Sequence, residues 1–261
     1  MDAASSVSFD HAAGFYDETR RTDEAALSAM LEVLESELAP RGGALEIGVG
    51  TGQIALPLHA RGVSLTGIDI SAQMMARLAG KAGGRAPFPL VRADASRLPF
   101  ADGSFGGAYA RWVLHLIPGW REAVAELGRV VRPGGVVVIE PGGYVGAWRD
   151  VWLRFVREVG EAARPVGLDM RGAPAELDEA FATRGMRRRD LPEVRFPGDA
   201  TLERFFQEVA ARMHSWTWRI PEAQLGPAVA AVRAWAKDRY GDLLAVPEPS
   251  VPLLWRAYDV V

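Results

Sequence analysis

Short apolar runs alternate with helix-periodic stretches through the first half of the chain. The run at 44–47 feeds Gly48-Val-Gly-Thr-Gly52, and Ile54, Leu56 and Leu58 follow as helix, with Pro57 near its first turn. Val63 to Ile68 predicts a buried strand that stops at Asp69. Ser71 then caps a helix carrying Met74, Met75 and Leu78, which closes around Gly83-Gly84. Phe88 to Val91 predicts a third strand ending near Asp94, and Phe105 to Ala110 a fourth. Trp120, Val124, Leu127 and Val131 mark one helix face, which Pro133-Gly134-Gly135 stops. Val136 to Ile139 predicts a fifth strand, ending at Glu140-Pro141-Gly142.

Residues 1–40 predict helix, with Ala26, Met30, Val33, Leu34 and Leu38 at helical spacing. From Tyr144 the pattern loosens. Trp148 to Ala163 and Pro174 to Thr183 predict amphipathic helices, as do Thr201 to Ser215 and Pro221 to Arg239; Pro247 to Pro252 reads as a stiff connector. Continuous apolar strands separated by helices imply an α/β fold, with a parallel sheet covered on both faces. Ligands of such sheets sit beyond the carboxyl ends of the strands, at the topological switch point. The glycine turn, Asp69 and Asp94 end three successive strands there.

Composition narrows the chemistry. A net charge of −3 argues against a general grip on nucleic acid, and the cluster Arg184, Arg187, Arg188, Arg189 reads as a solvated loop and strand start. The absence of cysteine removes disulfides, thiolate metal sites and cysteine nucleophiles, and no metal site is expected. Met1 to His11 lack the apolar core of a signal peptide, and no run is long enough to cross a bilayer, so a cytoplasmic monomer or homodimer is expected. The turn departs from the dinucleotide pattern, because Gln53 holds the third-glycine slot; this counts against a dehydrogenase.

Four stretches, Leu45 to Gln53, Gly67-Ile-Asp-Ile-Ser71, Arg92 to Phe105 and Leu127-Gly-Arg-Val-Val-Arg-Pro-Gly-Gly135, together resemble the class I S-adenosylmethionine-dependent methyltransferases, in the small-molecule group called methyltransferase type 11. Tyr16-Asp-Glu-Thr-Arg20 resembles a lead-in of that group, and the likeness spans about residues 14–140. It implies a Rossmann-like, doubly wound, seven-stranded sheet, in which Arg187 to Phe196 resembles strand six and Leu253 to Val260 the antiparallel strand seven. It also implies a single domain: a helical lid over 1–40, a cofactor core over 41–143, and a C-terminal part over 144–261 with inserted lid helices.

The resemblance implies S-adenosylmethionine as cofactor and S-adenosylhomocysteine as product. Asp69 would hold the ribose hydroxyls and Asp94 the adenine amino group. Ala95 would offer its N–H to the ring, and Ile70, Met74 and Leu98 would sandwich it. Gly48, Gly50 and Gly52 would lie along the methionine part, Glu46 would supply negative charge near the cation, and Tyr16 and Arg20 would reach the carboxylate. Arg111 is a further candidate for cofactor binding.

Methyl transfer mainly needs alignment and exclusion of water, with a base where the acceptor is a hydroxyl. His115, after the fourth strand, is the first candidate for that base; Glu140, on the same rim, is the second. A packed core histidine is the competing reading of His115. Phe15, Tyr144, Trp148, Met213 and Trp216 are candidate substrate walls. The expectation is direct in-line transfer to a small organic acceptor, most simply at oxygen, with no nucleic-acid or membrane partner. The alternatives are an S-adenosylmethionine-binding protein that does not methylate, or an RNA or protein methyltransferase on the same fold.

Overall fold

The computed structural model describes residues 6–20, 23–169, 171, 173–196, 200–247, 251–253 and 255–261. It begins with two helices, α1 (Tyr16–Thr19) and α2 (Glu24–Leu38). Then β1 (Ala44–Ile47), β2 (Leu65–Asp69), β3 (Leu90–Arg92), β4 (Phe105–Arg111) and β5 (Val131–Glu140) alternate with α3 (Ala55–Ala60), α4 (Ala72–Lys81) and α5 (Trp120–Val130). The remainder holds α6 (Gly146–Val159), α7 (Ala173–Ala182), β6 (Arg187–Asp190), β7 (Val194–Phe196), α8 (Leu202–Ala210), α9 (Glu222–Tyr240), β8 (Val251–Leu253) and β9 (Arg256–Asp259).

Chain contacts divide these into two compact units. Residues 1–142, 166–194 and 253–261 form a sheet unit, and residues 143–165 with 195–252 a helical unit. In the first, the strand order is β3-β2-β1-β4-β5-β9-β6. β1 to β5 run parallel, and β9 is antiparallel to both β5 and β6. The chain winds outward from β1 to β3 and then returns to β4, so the switch point lies between β1 and β4. That leaves the ends of β1, β2 and β4 without a crossover above them, the place where such sheets take ligands.

Strand alternation sorts the side chains. Leu45 and Ile47 of β1 join Ala108, Ala110, Val137 and Ile139 in one core with Val124 and Leu127 of α5 and Leu177 and Phe181 of α7. The opposite side of β1 and β4 carries Glu46 and Tyr109, register partners that are both buried. There α2 packs hard on β4, where a Cβ on Gly107 would stand 2.6 Å from Leu38 Cδ2. Ser71 caps α4 through its hydroxyl, which accepts from the Met74 N–H at 3.1 Å.

Several boundaries differ from expectation. Residues 6–20 form mostly irregular strap with single turns, because side-chain hydrogen bonds rather than helical periodicity hold them; α2 is the helix in the described part of 1–40. The strand after α5 begins at Val131, not Val136. Val131 pairs with Phe105 before a register shift, and the Gly134 N–H donates to the Val260 carbonyl, so the Pro-Gly-Gly turn is a bulge inside β5. The strand predicted over 187–196 is two strands. Arg187–Asp190 forms the charged edge of the main sheet, and Val194–Phe196 pairs with β8 in a separate two-stranded sheet. Gly160, at φ +65°, ends α6 before the predicted Ala163. Positions 248–250 of the predicted connector lie outside the described residues.

Candidate active site

The ends of β1, β2, β3 and β4 open onto one cavity in the sheet unit, about 680 Å³ out to its open mouth. Gly48, Gly50, Asp69, Ile70, Met74, Asp94, Ala95, Arg111 and Tyr16 line it. Gly48 and Gly50 both have positive φ, +70° and +53°. A Cβ on Gly48 would stand 2.8 Å from Val113, so this turn is cradle-shaped because it is glycine. Gly52 does not line the cavity. Its missing side chain makes room for Leu78 and Leu56, at 2.7 and 3.0 Å from a would-be Cβ, so its role here is helix packing.

The two aspartates are held ready as acceptors. Asp69 Oδ2 accepts the Gly50 N–H at 2.9 Å and Oδ1 the Ser71 N–H at 2.8 Å. Each oxygen keeps a second lone-pair direction. Burial raises this carboxyl's pKa, and the backbone N–H groups of Ser71, Gly50 and Ile70 oppose the rise. Asp94 Oδ1 accepts from Ser96, through its N–H at 2.9 Å and its hydroxyl at 2.7 Å, while Oδ2 accepts the Ser6 hydroxyl at 2.9 Å. Between the aspartates the wall is apolar: Ile70, Met74, Ala95, Leu116 and Ile117. Two strand-end carboxylates, an apolar wall and a glycine cradle fit a nucleoside with a polar tail. Leu98 is buried but is not among the lining residues.

The sequence placed a lid over 1–40 and Tyr16 at the site, but not the contacts that fasten the segment there. Ser6, Val7 and Phe9 join Tyr16 in the lining, and the Val7 N–H donates to the Leu116 carbonyl at 3.0 Å. Asp10 accepts from the Ser71 hydroxyl at 2.5 Å, and Asp17 from the Thr51 hydroxyl, the Gln53 amide and Lys81. The only trace of this in the sequence is acidic residues placed without helical spacing. Trp112 and Val113, just past β4, also line the cavity.

Glu46 lies beneath the glycine turn and accepts the Tyr109 hydroxyl at 2.7 Å. Burial pushes its pKa from 4.5 up to about 8, with Asp69 adding to the rise and Tyr109 and Arg111 opposing it. Burial thus favours the protonated, neutral carboxyl over the negative charge expected there. At the end of β5, Glu140 Oε1 accepts the Gly142 N–H at 3.0 Å, and Oε2 lies 3.8 Å from Arg111 Nε. Burial raises Glu140 to about 7, with Arg111 the main opposing influence. His115 has Nδ1 sealed from solvent with no hydrogen-bond partner. Burial, aided by the charge of Arg20, lowers its pKa to about 4 and keeps the ring neutral. Neither His115, Glu140, Arg20 nor Phe15 lines the cavity; Phe15 is 38% exposed.

In the helical unit, the Trp216 indole N–H donates to the Tyr144 hydroxyl at 3.1 Å, and that hydroxyl lies 3.1 Å from His214 Nδ1. Glu208 approaches the other ring nitrogen at 3.3 Å. Trp148 is buried against Phe205, which also touches Tyr144. Met213 is partly buried, and its N–H donates to the Glu208 carbonyl.

Glu46 has a consequence for stability. Its folded pKa lies above its unfolded one, so the folded state holds the extra proton and stability falls as pH rises from about 4.5 to about 8. Glu140 acts in the same sense up to about 7. His115 acts oppositely: its folded pKa is depressed, so stability rises with pH between about 4 and 6.5. Replacing Glu46 by Gln keeps an acceptor for Tyr109 and removes the titrating carboxyl. Urea unfolding between pH 5.5 and 7.5 should then decline less with pH, by up to ~1.4 kcal/mol per pH unit. Equal slopes in variant and wild type would contradict the assignment.

The strand order 3-2-1-4-5-7-6, with the seventh main-sheet strand antiparallel, is that of the class I methyltransferases. Within it, residues 45–139 match the protein-family model described as Methyltransferase domain, a family whose methyl donor is S-adenosylmethionine. The phosphatidylethanolamine N-methyltransferase of Cereibacter sphaeroides is 43% identical over 103 residues, 38% of this chain and 50% of that protein. The demethylmenaquinone methyltransferase of Desulfitobacterium hafniense is 37% identical over 108 residues, 39% of this chain and 43% of that protein. The chain thus spans about half the length of the curated relatives it matches. The crystal structure of the YcgJ protein from Bacillus subtilis shares the fold, with a TM-score of 0.62 and 18% identity, covering 92% of this chain and 100% of that one. No helix among the described residues is long and apolar enough to cross a membrane.

Proposed function

We propose that this chain methylates a small organic acceptor at oxygen, with S-adenosylmethionine as donor. The observation that carries the reading is the convergence of Asp69, Asp94 and the glycine turn on one cavity at the switch point. In this assignment Asp69 holds the ribose hydroxyls and Asp94 the adenine amino group, with the Ala95 N–H on the ring and Ile70 and Met74 as its walls. Gly48 and Gly50 carry the tail, with Tyr16, Arg20 and Arg111 toward its carboxylate. When bound, the donor supplies an electrophilic methyl group on a cationic sulfur; the protein aligns, excludes water and accepts a proton. Glu46 would ionise beside that charge.

A hydroxyl acceptor must lose a proton, and His115 stays our first candidate for the base by its place after β4, although burial that lowers it to about 4 keeps the ring neutral at the cost of basicity. Glu140, raised to about 7, is the second candidate for that role. We keep Phe15 of the sheet unit, and Tyr144, Trp148, Met213 and Trp216 of the helical unit, as candidate acceptor contacts. The strap over the cavity supports the N-terminal lid, and we take the protein to be a cytoplasmic monomer or homodimer.

The test uses methyl-labelled S-adenosylmethionine with panels of small hydroxyl, amine and activated-carbon acceptors. Labelled product should form with hydroxyl acceptors. Turnover confined to amines or carbon would overturn oxygen as the target, and no turnover with any acceptor despite donor binding would count against methyl transfer itself.

A further inference from the structure

Trp112 directly follows β4, and its backbone is unusual. Its φ is +53°, the left-handed region that bulky residues avoid. Among the described residues the other non-glycine residue with positive φ is Arg212, at +55°. Arg212 stands one position past the C-cap of α8, where a helix commonly ends in that conformation. Trp112 ends no helix. Its indole is also 42% exposed, whereas Trp120, Trp148, Trp152, Trp216 and Trp255 are all buried.

The surroundings hold this exposed ring in place. The Trp112 N–H donates to the Glu140 carbonyl at 3.1 Å, which extends the β4–β5 ladder by one residue and fixes the turn. The Arg111 guanidinium lies 4.6 Å from the ring centroid, over its face. Gly142 leaves space for the ring edge: a Cβ there would be 2.9 Å from the indole Cδ1. The ring borders the same cavity as Asp69 and Asp94. Beside it, Glu140 is 5% exposed, with Oε2 3.8 Å from Arg111 Nε and a side-chain hydrogen bond from Trp112. A strained backbone, a glycine, an arginine and a carboxyl together hold a rigid aromatic surface at the edge of the cavity. Such outliers persist where a site needs them.

We infer that Trp112 is the platform on which the methyl acceptor stacks, and that the acceptor is a planar, unsaturated ring carrying the hydroxyl. The inference rests on the methyltransferase reading and adds a substrate class to it. A fixed indole rewards flat π-systems, which stack offset on it, over puckered saturated rings of equal size. Its rigidity also makes that contact cheap in conformational entropy.

The test compares 2-naphthol with decahydro-2-naphthol, by equilibrium dialysis against the full chain saturated with S-adenosylhomocysteine. Wild type should bind the flat ring at least tenfold more tightly than the saturated one. Trp112→Gly should lose that preference without a fall in melting temperature, since glycine takes φ +53° without strain. Trp112→Phe should keep most of the preference. Trp112→Asn tolerates the backbone and replaces the glycine variant if that one unfolds. No preference in wild type, or an equal preference in the glycine or asparagine variant, overturns the inference. Failure of S-adenosylhomocysteine itself to bind wild type would instead sink the methyltransferase reading, before either ring is tested.

Discussion

Asp69→Ala should abolish measurable binding of S-adenosylhomocysteine, a loss of at least 100-fold, while the protein stays folded. Both carboxylate oxygens sit at the end of β2, each already receiving one backbone N–H and each with capacity for another donor. Hydrogen bonds to a charged acceptor contribute ~1.5–3 kcal/mol apiece, so losing two costs two orders of magnitude or more. The fold loses less. Asp69 lies on the rim and not in the apolar core, and its removal frees backbone N–H groups of the adjoining turns, Gly50, Ile70 and Ser71. Titration calorimetry paired with thermal unfolding separates the two effects. A variant that unfolds, with cofactor affinity unchanged in its folded fraction, would show Asp69 to be a structural cap.

The second large effect is on stability alone. Gly106→Ala should prevent folding or destabilise the chain by at least ~3 kcal/mol, the upper end of ordinary overpacking costs. A Cβ at this position would lie 1.6 Å from the Arg41 carbonyl oxygen. The clash cannot be relieved by a side-chain rotation, because the obstacle is backbone. Moving it would break the bond from the Gly106 N–H to the Gly43 carbonyl, which at 2.8 Å ties β4 to the turn entering β1. Chemical denaturation checks this, with Gly134→Ala as a comparison where a Cβ meets nothing within 4 Å and only the positive φ is strained. Equal stability of the Gly106 variant and wild type would mean that the β1–β4 junction is wrongly placed.

Gly106 also shows where sequence reading stops. The apolar period identified β4 from 105 to 110, yet the glycines inside it carry a message about backbone approach that needs a partner strand to interpret. The parallel core was legible because β1, β2 and β4 are buried on both faces and so read as continuous apolar runs. The edge was not. β6 is Arg-Arg-Arg-Asp, with charges suited to an exposed sheet margin, and Arg189 spends its guanidinium on Glu37 and Asp259, far away in the chain. Likewise, Pro133-Gly134-Gly135 carries ordinary helix-stop chemistry, and only the pairing of Val131 with Phe105 makes it a bulge.

The site divides in the same way. Asp69, Asp94 and the first two glycines could be found because a strand end followed by a turn is a local pattern. The Ser6–Asp94 and Asp10–Ser71 contacts span 88 and 61 positions and have no local pattern. The left-handed turn at Trp112 is invisible for a different reason: nothing in its neighbours announces a strained backbone. Glu46 was read as a charge, which its identity suggests; burial raises its pKa against the opposing hydrogen bond from Tyr109.

An adenosyl group is the ligand for which the cavity at the β1–β4 switch point is best furnished. The most direct measurement is isothermal titration of S-adenosylhomocysteine into the wild-type chain. One molecule should bind per chain, with saturable heat, and the complex should melt at a higher temperature than the free protein. No heat and no thermal shift, with either the donor or its demethylated product, would contradict it.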